Sequence, residues 1–80
     1  MDHTYVAMSG EHPTSAYTDL NSAQKAVVDQ HTQYMPDGYE TEWQEEPGFD
    51  DTRVWQLRGR GLGRRWSKAY RSIVEVPNRT

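Results

Sequence analysis

The apolar pattern of this chain changes from a helical to a strand period at Pro36-Asp37-Gly38, and that change limits what the chain can fold into. Before the turn, Leu20, Ala23, Val27 and Tyr34 recur at helical spacings, with Asp19 standing where an N-cap belongs. Their stripe predicts a helix from Asp19 to near Tyr34, with Gln24, Lys25, Asp29 and Thr32 on the polar side. Pro36 disfavours a helical residue before it, so the helix must stop there. After the turn, Tyr39, Thr41 and Trp43 alternate with Glu40, Glu42 and Gln44, the period of a half-buried strand.

Three more stretches read as strands: Thr4 to Met8, Thr52 to Arg58, and Lys68 or Ala69 to Val76 ending at Pro77. Between them, Glu11 to Thr14 reads as a loop because it contains Pro13, and Ser15-Ala16-Tyr17 as a brief extended piece. Gly59-Arg60-Gly61-Leu62-Gly63 reads as a flexible loop. The expected fold class is α+β: a single domain over residues 1–80, in the order β-α-β-β-β, with a mainly antiparallel sheet. One helix covers only one face of that sheet. Residues 1–3 and 77–80 are expected to be loose ends. Both sides of the last strand carry apolar residues, with Val74 and Val76 on one and Ile73 on the other, which predicts a central position or a covered outer face.

Leu, Ile and Val are sparse here, so three Trp, five Tyr and one Phe must supply much of the core. Trp43 and Tyr5 are expected to pack inside, while Trp55, Trp66 and Tyr70, which lie among arginines, are interface candidates. With no cysteine, a disulfide framework and a thiolate zinc site are excluded, which fits a cytoplasmic setting. The N-terminal residues lack a basic start followed by an apolar run, and no apolar stretch approaches membrane-spanning length, so neither export by a cleaved signal nor a membrane association is expected.

Charge is divided unevenly. Residues 1–51 hold eleven acids and one base, Lys25, while residues 52–80 hold eight bases and one acid, Glu75. Such asymmetry concerns partners and encounter, not fold. The basic half centres on Arg58, Arg60, Arg64, Arg65, Trp66, Lys68 and Arg71, a glycine-rich run with interleaved aromatics. Its cations suit phosphates and its rings suit unpaired bases, but the same run also describes a solvated loop whose arginines offset the acidic half. The acidic half centres on Glu40, Glu42, Glu45, Glu46, Asp50 and Asp51. Rows of carboxylates can imitate a phosphate backbone, and equally they keep an edge strand from pairing with itself.

Chemistry-bearing motifs are missing. The glycine loop matches neither nucleotide-binding spacing, His3, His12 and His31 are scattered, no calcium-loop spacing occurs, and there is no Gly-x-Ser-x-Gly elbow. No catalytic residue, metal site or cofactor is expected, and the chain is not expected to be an enzyme.

Tyr5-Val6, Gly10-Glu11-His12-Pro13, Tyr17-Thr18-Asp19-Leu20 with Ala23 and Ala26, Arg65-Trp66-Ser67, Tyr70-Arg71 and Val74-Glu75-Val76-Pro77 resemble small uncharacterised proteins encoded by bacteriophages of actinobacteria. The resemblance covers both ends and leaves the acidic middle unmatched. It implies a βαβββ-type domain with no established activity or catalytic residue, of a kind that often binds a host protein or a nucleic acid. The expected function is therefore a phage accessory protein that binds and modulates a host protein through the basic loop and the acidic strand. Nucleic-acid binding by residues 58–71, a DNA-mimic role for residues 37–51, and pairing into a homodimer are the alternatives.

Overall fold

The computed structural model describes residues 3–48 and 52–77. Its elements are β1 (His3–Ser9), β2 (His12–Tyr17), α1 (Leu20–Thr32), β3 (Glu40–Pro47), β4 (Arg53–Arg60) and β5 (Ser67–Pro77). The strands form one antiparallel sheet in the order β2-β1-β5-β4-β3, and α1 packs on β1, β2 and β5. The protein is thus a small α+β domain, with the three C-terminal strands in the expected meander and β5 at the centre of the sheet.

The order differs from expectation by one strand, β2, where Glu11 to Thr14 was expected to be a loop. Gly10, at φ 63°, turns the chain straight back on itself. Pro13 is accommodated because β2 is an edge strand, where a missing N–H need not break a ladder bond. Register jumps between Ala7 and Met8, which face Ser15 and Pro13, so Thr14 is the extra residue of a bulge; its hydroxyl donates to the Ala7 carbonyl at 3.2 Å. Of the ends expected to be loose, residues 1–2 and 78–80 lie outside the described residues, and His3 pairs with Pro77.

Helix α1 begins as its sequence predicts, with the Asp19 carboxylate accepting from the Ser22 backbone N–H at 2.8 Å and from its hydroxyl at 2.8 Å. It ends earlier than expected, at Thr32, so Tyr34 falls outside the apolar stripe and stands 89% exposed. Ala23 and Val27 point into the core and meet Ala7, Trp55, Leu57 and Ile73, while Tyr5, Tyr17, Leu20, Val28, Trp43 and Ala69 close its edges. Trp55, expected at an interface, is instead a core residue, 5% exposed. Position explains this: Trp55 lies on the helix-covered face of β4, opposite Ile73, and its ring leans on Tyr5 with centroids 6.0 Å apart.

One carboxylate is buried on that face. Glu75, 4% exposed, accepts from Arg53 at 2.9 Å and 3.4 Å and from the Tyr5 hydroxyl at 3.3 Å. The Arg53 hydrogen bond and charge hold Glu75 below the ordinary carboxylate value against the opposing effect of burial. Burial, with Glu75 behind it, pushes the Tyr5 phenol up. Arg53 also lies over the Trp55 ring, 5.1 Å from its centroid, so this network joins β1, β4 and β5 at the start of the helix.

Candidate binding surface

Three connections meet at the opposite end of the sheet. Glu40 pairs with Arg60, which brings the α1–β3 connection beside the β4–β5 loop, and Ser9 pairs with Arg71, which brings the β1–β2 turn alongside β5. Contacts between these segments fix the arrangement. Leu62 lies against Gly38, and the Tyr39 hydroxyl lies over Gly59, where any Cβ would run into it. Tyr39 also shares a 2.8 Å hydrogen bond with Nε2 of His31 in the last turn of the helix. Burial first, and Arg71 second, depress the His31 imidazole below its ordinary value of 6.5, so the neutral ring is the form this end is built around.

The predicted basic residues separate into two groups. Gly59 and Arg60, expected in the loop, belong to β4, because cross-strand pairing with β3 runs on through Arg60. Arg60 donates to Glu40 at 3.1 Å from Nε and lies 3.0 Å away through Nη2, and its guanidinium lies 4.7 Å from the centroid of the Trp66 ring. Arg58 donates to Gln44 at 2.9 Å and sits 3.9 Å from Glu42. Both arginines are committed to β3. Arg64, Arg65 and Lys68 are exposed, Arg71 is half-buried, and none has an ion-pair partner among the described residues. The outward positive charge therefore comes from the loop after Arg60 and the start of β5.

The acidic group divides in the same way. Glu40, Glu42 and Glu45 lie beside Arg60, Arg58 and Arg53 at 3.0, 3.9 and 4.0 Å, while Glu46 is half-buried opposite Val54. Asp50 and Asp51 lie outside the described residues. A row of carboxylates interleaved with guanidinium groups is a poor imitation of a bare phosphate backbone.

Tyr70 is the most unusual residue of this end. Gln56 faces Ser72 and Arg58 faces Lys68, so Ala69, Tyr70 and Arg71 together span the single residue Leu57. The excess is taken up by a bulge in which Tyr70 adopts φ 56°, the only non-glycine residue with positive φ among those described. The bulge is held from both sides. The Gln56 amide donates to the Leu57 and Arg71 carbonyls at 3.1 and 3.0 Å, and the Gly10 N–H donates to the Tyr70 carbonyl at 2.7 Å. The result is a tyrosine ring 81% exposed between Lys68 and Arg71.

Other apolar side chains accompany it. Leu62, 82% exposed, projects from the glycine loop, and Tyr34 and Met35 stand in solvent just past the helix. These were absent from the expected contact residues. Leu62 was legible only as a large side chain in a glycine-rich loop, and Tyr34 was masked by a spacing that matched the helix stripe.

No protein-family model, curated protein or solved structure matches the chain. Among the described residues, no helix is long and apolar enough to cross a membrane, and no group of three or more His, Asp and Glu side chains is placed to hold a metal ion.

Proposed function

We propose that this domain is a small non-enzymatic binding module, a phage accessory protein that acts in the host cytoplasm by docking its basic end on a host protein. The single observation behind this reading is Tyr70. A non-glycine residue at positive φ costs stability, as does an ordered aromatic ring left in water, and the fold gains nothing from either within its own core. Such features accumulate where a surface is shaped for contact. Tyrosine and arginine are also among the residues that most often carry binding energy at protein interfaces.

A protein partner suits this end better than a nucleic acid does. Arg60 covers one face of Trp66, which removes that ring face as a base-stacking platform, and Arg58 and Arg60 are already neutralised. Leu62, Tyr34 and Met35 offer apolar area that phosphates do not use. Nucleic-acid binding stands as the second reading, favoured by the exposed Tyr70 ring and by the exposed cations Arg64, Arg65 and Lys68 of the same end.

The two readings part in one experiment. A fluorescent single-stranded oligonucleotide is titrated at several salt concentrations, and the immobilised protein is offered actinobacterial lysate treated with nuclease. The protein reading expects a stoichiometric captured protein and negligible oligonucleotide binding. Strong oligonucleotide binding, falling by about 0.7 log units per log unit of salt for each phosphate contacted, would favour the second reading and overturn the first.

A further inference from the structure

The two edges of the sheet are unlike each other. The β2 edge is six residues long, contains Pro13 and is broken in register by the bulge at Ala7 and Met8. Those are among the devices by which natural sheets prevent further pairing, and charged side chains are another. The β3 edge has no proline or bulge inside its span, and its one protection is its glutamates, which oppose pairing with itself but not with a basic strand. It pairs residue for residue with β4 from Glu40↔Arg60 to Pro47↔Arg53 without a register shift, and its one proline closes the strand. The helix packs mainly on β1, β2 and β5, only Trp43 of β3 reaches the core beneath it, and no strand among the described residues pairs with the outer side of β3. Every second N–H and C=O along it therefore faces outward, ready to extend the ladder.

Charge states what such an added strand must look like. Directly opposed residues share a face, so Glu40, Glu42, Gln44 and Glu46 line the sheet face away from the helix, with Thr41, Trp43 and Glu45 on the other. A second copy of β3 laid antiparallel and centred on Trp43 would set Glu40 against Glu46 and repel. Arg58 and Arg60 approach the carboxylates of Glu42 and Glu40 from the β4 side and leave the outer flank of this row open. We propose that the β3 edge is a docking strand for an extended basic segment of another protein. That segment carries Lys or Arg at alternate positions against Glu40, Glu42 and Glu46, with small or apolar residues between them against Thr41 and Trp43. Main-chain hydrogen bonds supply most of the affinity, and the alternating cations set orientation and register. The proposal is independent of the basic end and stands if that reading fails.

The test uses a synthetic peptide, Lys-Val-Lys-Thr-Lys-Val-Lys, titrated at physiological salt into isotope-labelled protein and followed by backbone NMR and amide hydrogen exchange. Expected are shifts concentrated in residues 40–47, slowed exchange at alternate amides of that strand, and no response to the same peptide with Glu in place of Lys. Methylating alternate peptide nitrogens on the ladder side abolishes binding, and Glu46→Lys weakens it about three- to tenfold, as replacing one favourable cross-strand charge pair by a repulsive one requires. Glu46 forms no ion pair among the described residues, and the variant's unchanged spectrum elsewhere reports that it is folded. Equal binding by the N-methylated peptide, shifts at scattered carboxylates without slowed β3 amides, or no binding would each overturn the proposal. So would β3 shifts that track protein concentration alone, which would assign the edge to self-pairing.

Discussion

Replacing Tyr70 separates what this residue does for the fold from what it does for a partner. Its backbone sits at φ 56°, where a residue carrying a Cβ loses about 1–2 kcal/mol relative to the ordinary region. Glycine escapes that cost but gives up about 0.5–1 kcal/mol through the greater freedom of the unfolded chain. Tyr70→Gly should therefore be more stable than Tyr70→Ala by about 0.5–1 kcal/mol, because alanine keeps the strain and loses the same ring. At an unstrained strand position the order reverses by a similar amount, so the sign alone decides. The ring is 81% exposed, so its removal leaves no cavity, and Tyr70→Ala should lie within about 0.5 kcal/mol of the parent protein. Urea unfolding followed by tryptophan fluorescence measures all three proteins, and in a domain of this size 1 kcal/mol moves Tm by about 4–8 °C. A glycine variant less stable than the alanine variant would refute the claim that the bulge holds Tyr70 under strain.

Other consequences follow from the same geometry. His31 favours its neutral form in the fold, so the unfolded chain takes up a proton first and stability should fall as pH drops below 6.5; thermal melts of His31→Gln should lack that step. Glu75 is held below the ordinary carboxylate value of 4.5 by Arg53, so its contribution is present above that pH and is lost as pH falls further; Glu75→Gln should be less stable at neutral pH and should flatten the acid limb of the stability curve. Gly59→Ala drives a Cβ into the Tyr39 ring and should cost about 1–3 kcal/mol, with Tyr39→Ala recovering part of the loss in a double-mutant cycle of urea midpoints.

What could be read from the residues was whatever depends on local pattern. The Asp19 cap, the Leu20-Ala23-Val27 stripe and the alternation through Trp43 are short-range signals, and each element formed where its signal lies. The central place of β5 was also legible, from apolar residues on both of its sides. What was missed depends on pairing. Pro13 argues against a strand only until it is known to lie at an edge, and Trp55 points outward or inward according to which face of β4 receives the helix. The Tyr70 bulge arises because β5 carries two more residues than β4 can match between Gln56 and Arg58, a count that exists only once the register is set. The charge division was legible as a number, but not as a cross-strand ladder that ties Glu40, Glu42 and Glu45 to arginines and leaves Arg64, Arg65 and Lys68 outside.

The measurement closest to the central claim is a paired capture from nuclease-treated actinobacterial lysate, using the parent protein and Tyr70→Gly side by side. The variant keeps or improves the fold while removing the exposed ring, so misfolding cannot explain a loss. The account predicts that a stoichiometric protein held by the parent is lost from Tyr70→Gly and from Leu62→Ser, and is retained by Glu46→Lys, whose change lies away from the basic end. Capture of the same protein by the parent and by both loop-end variants would contradict it.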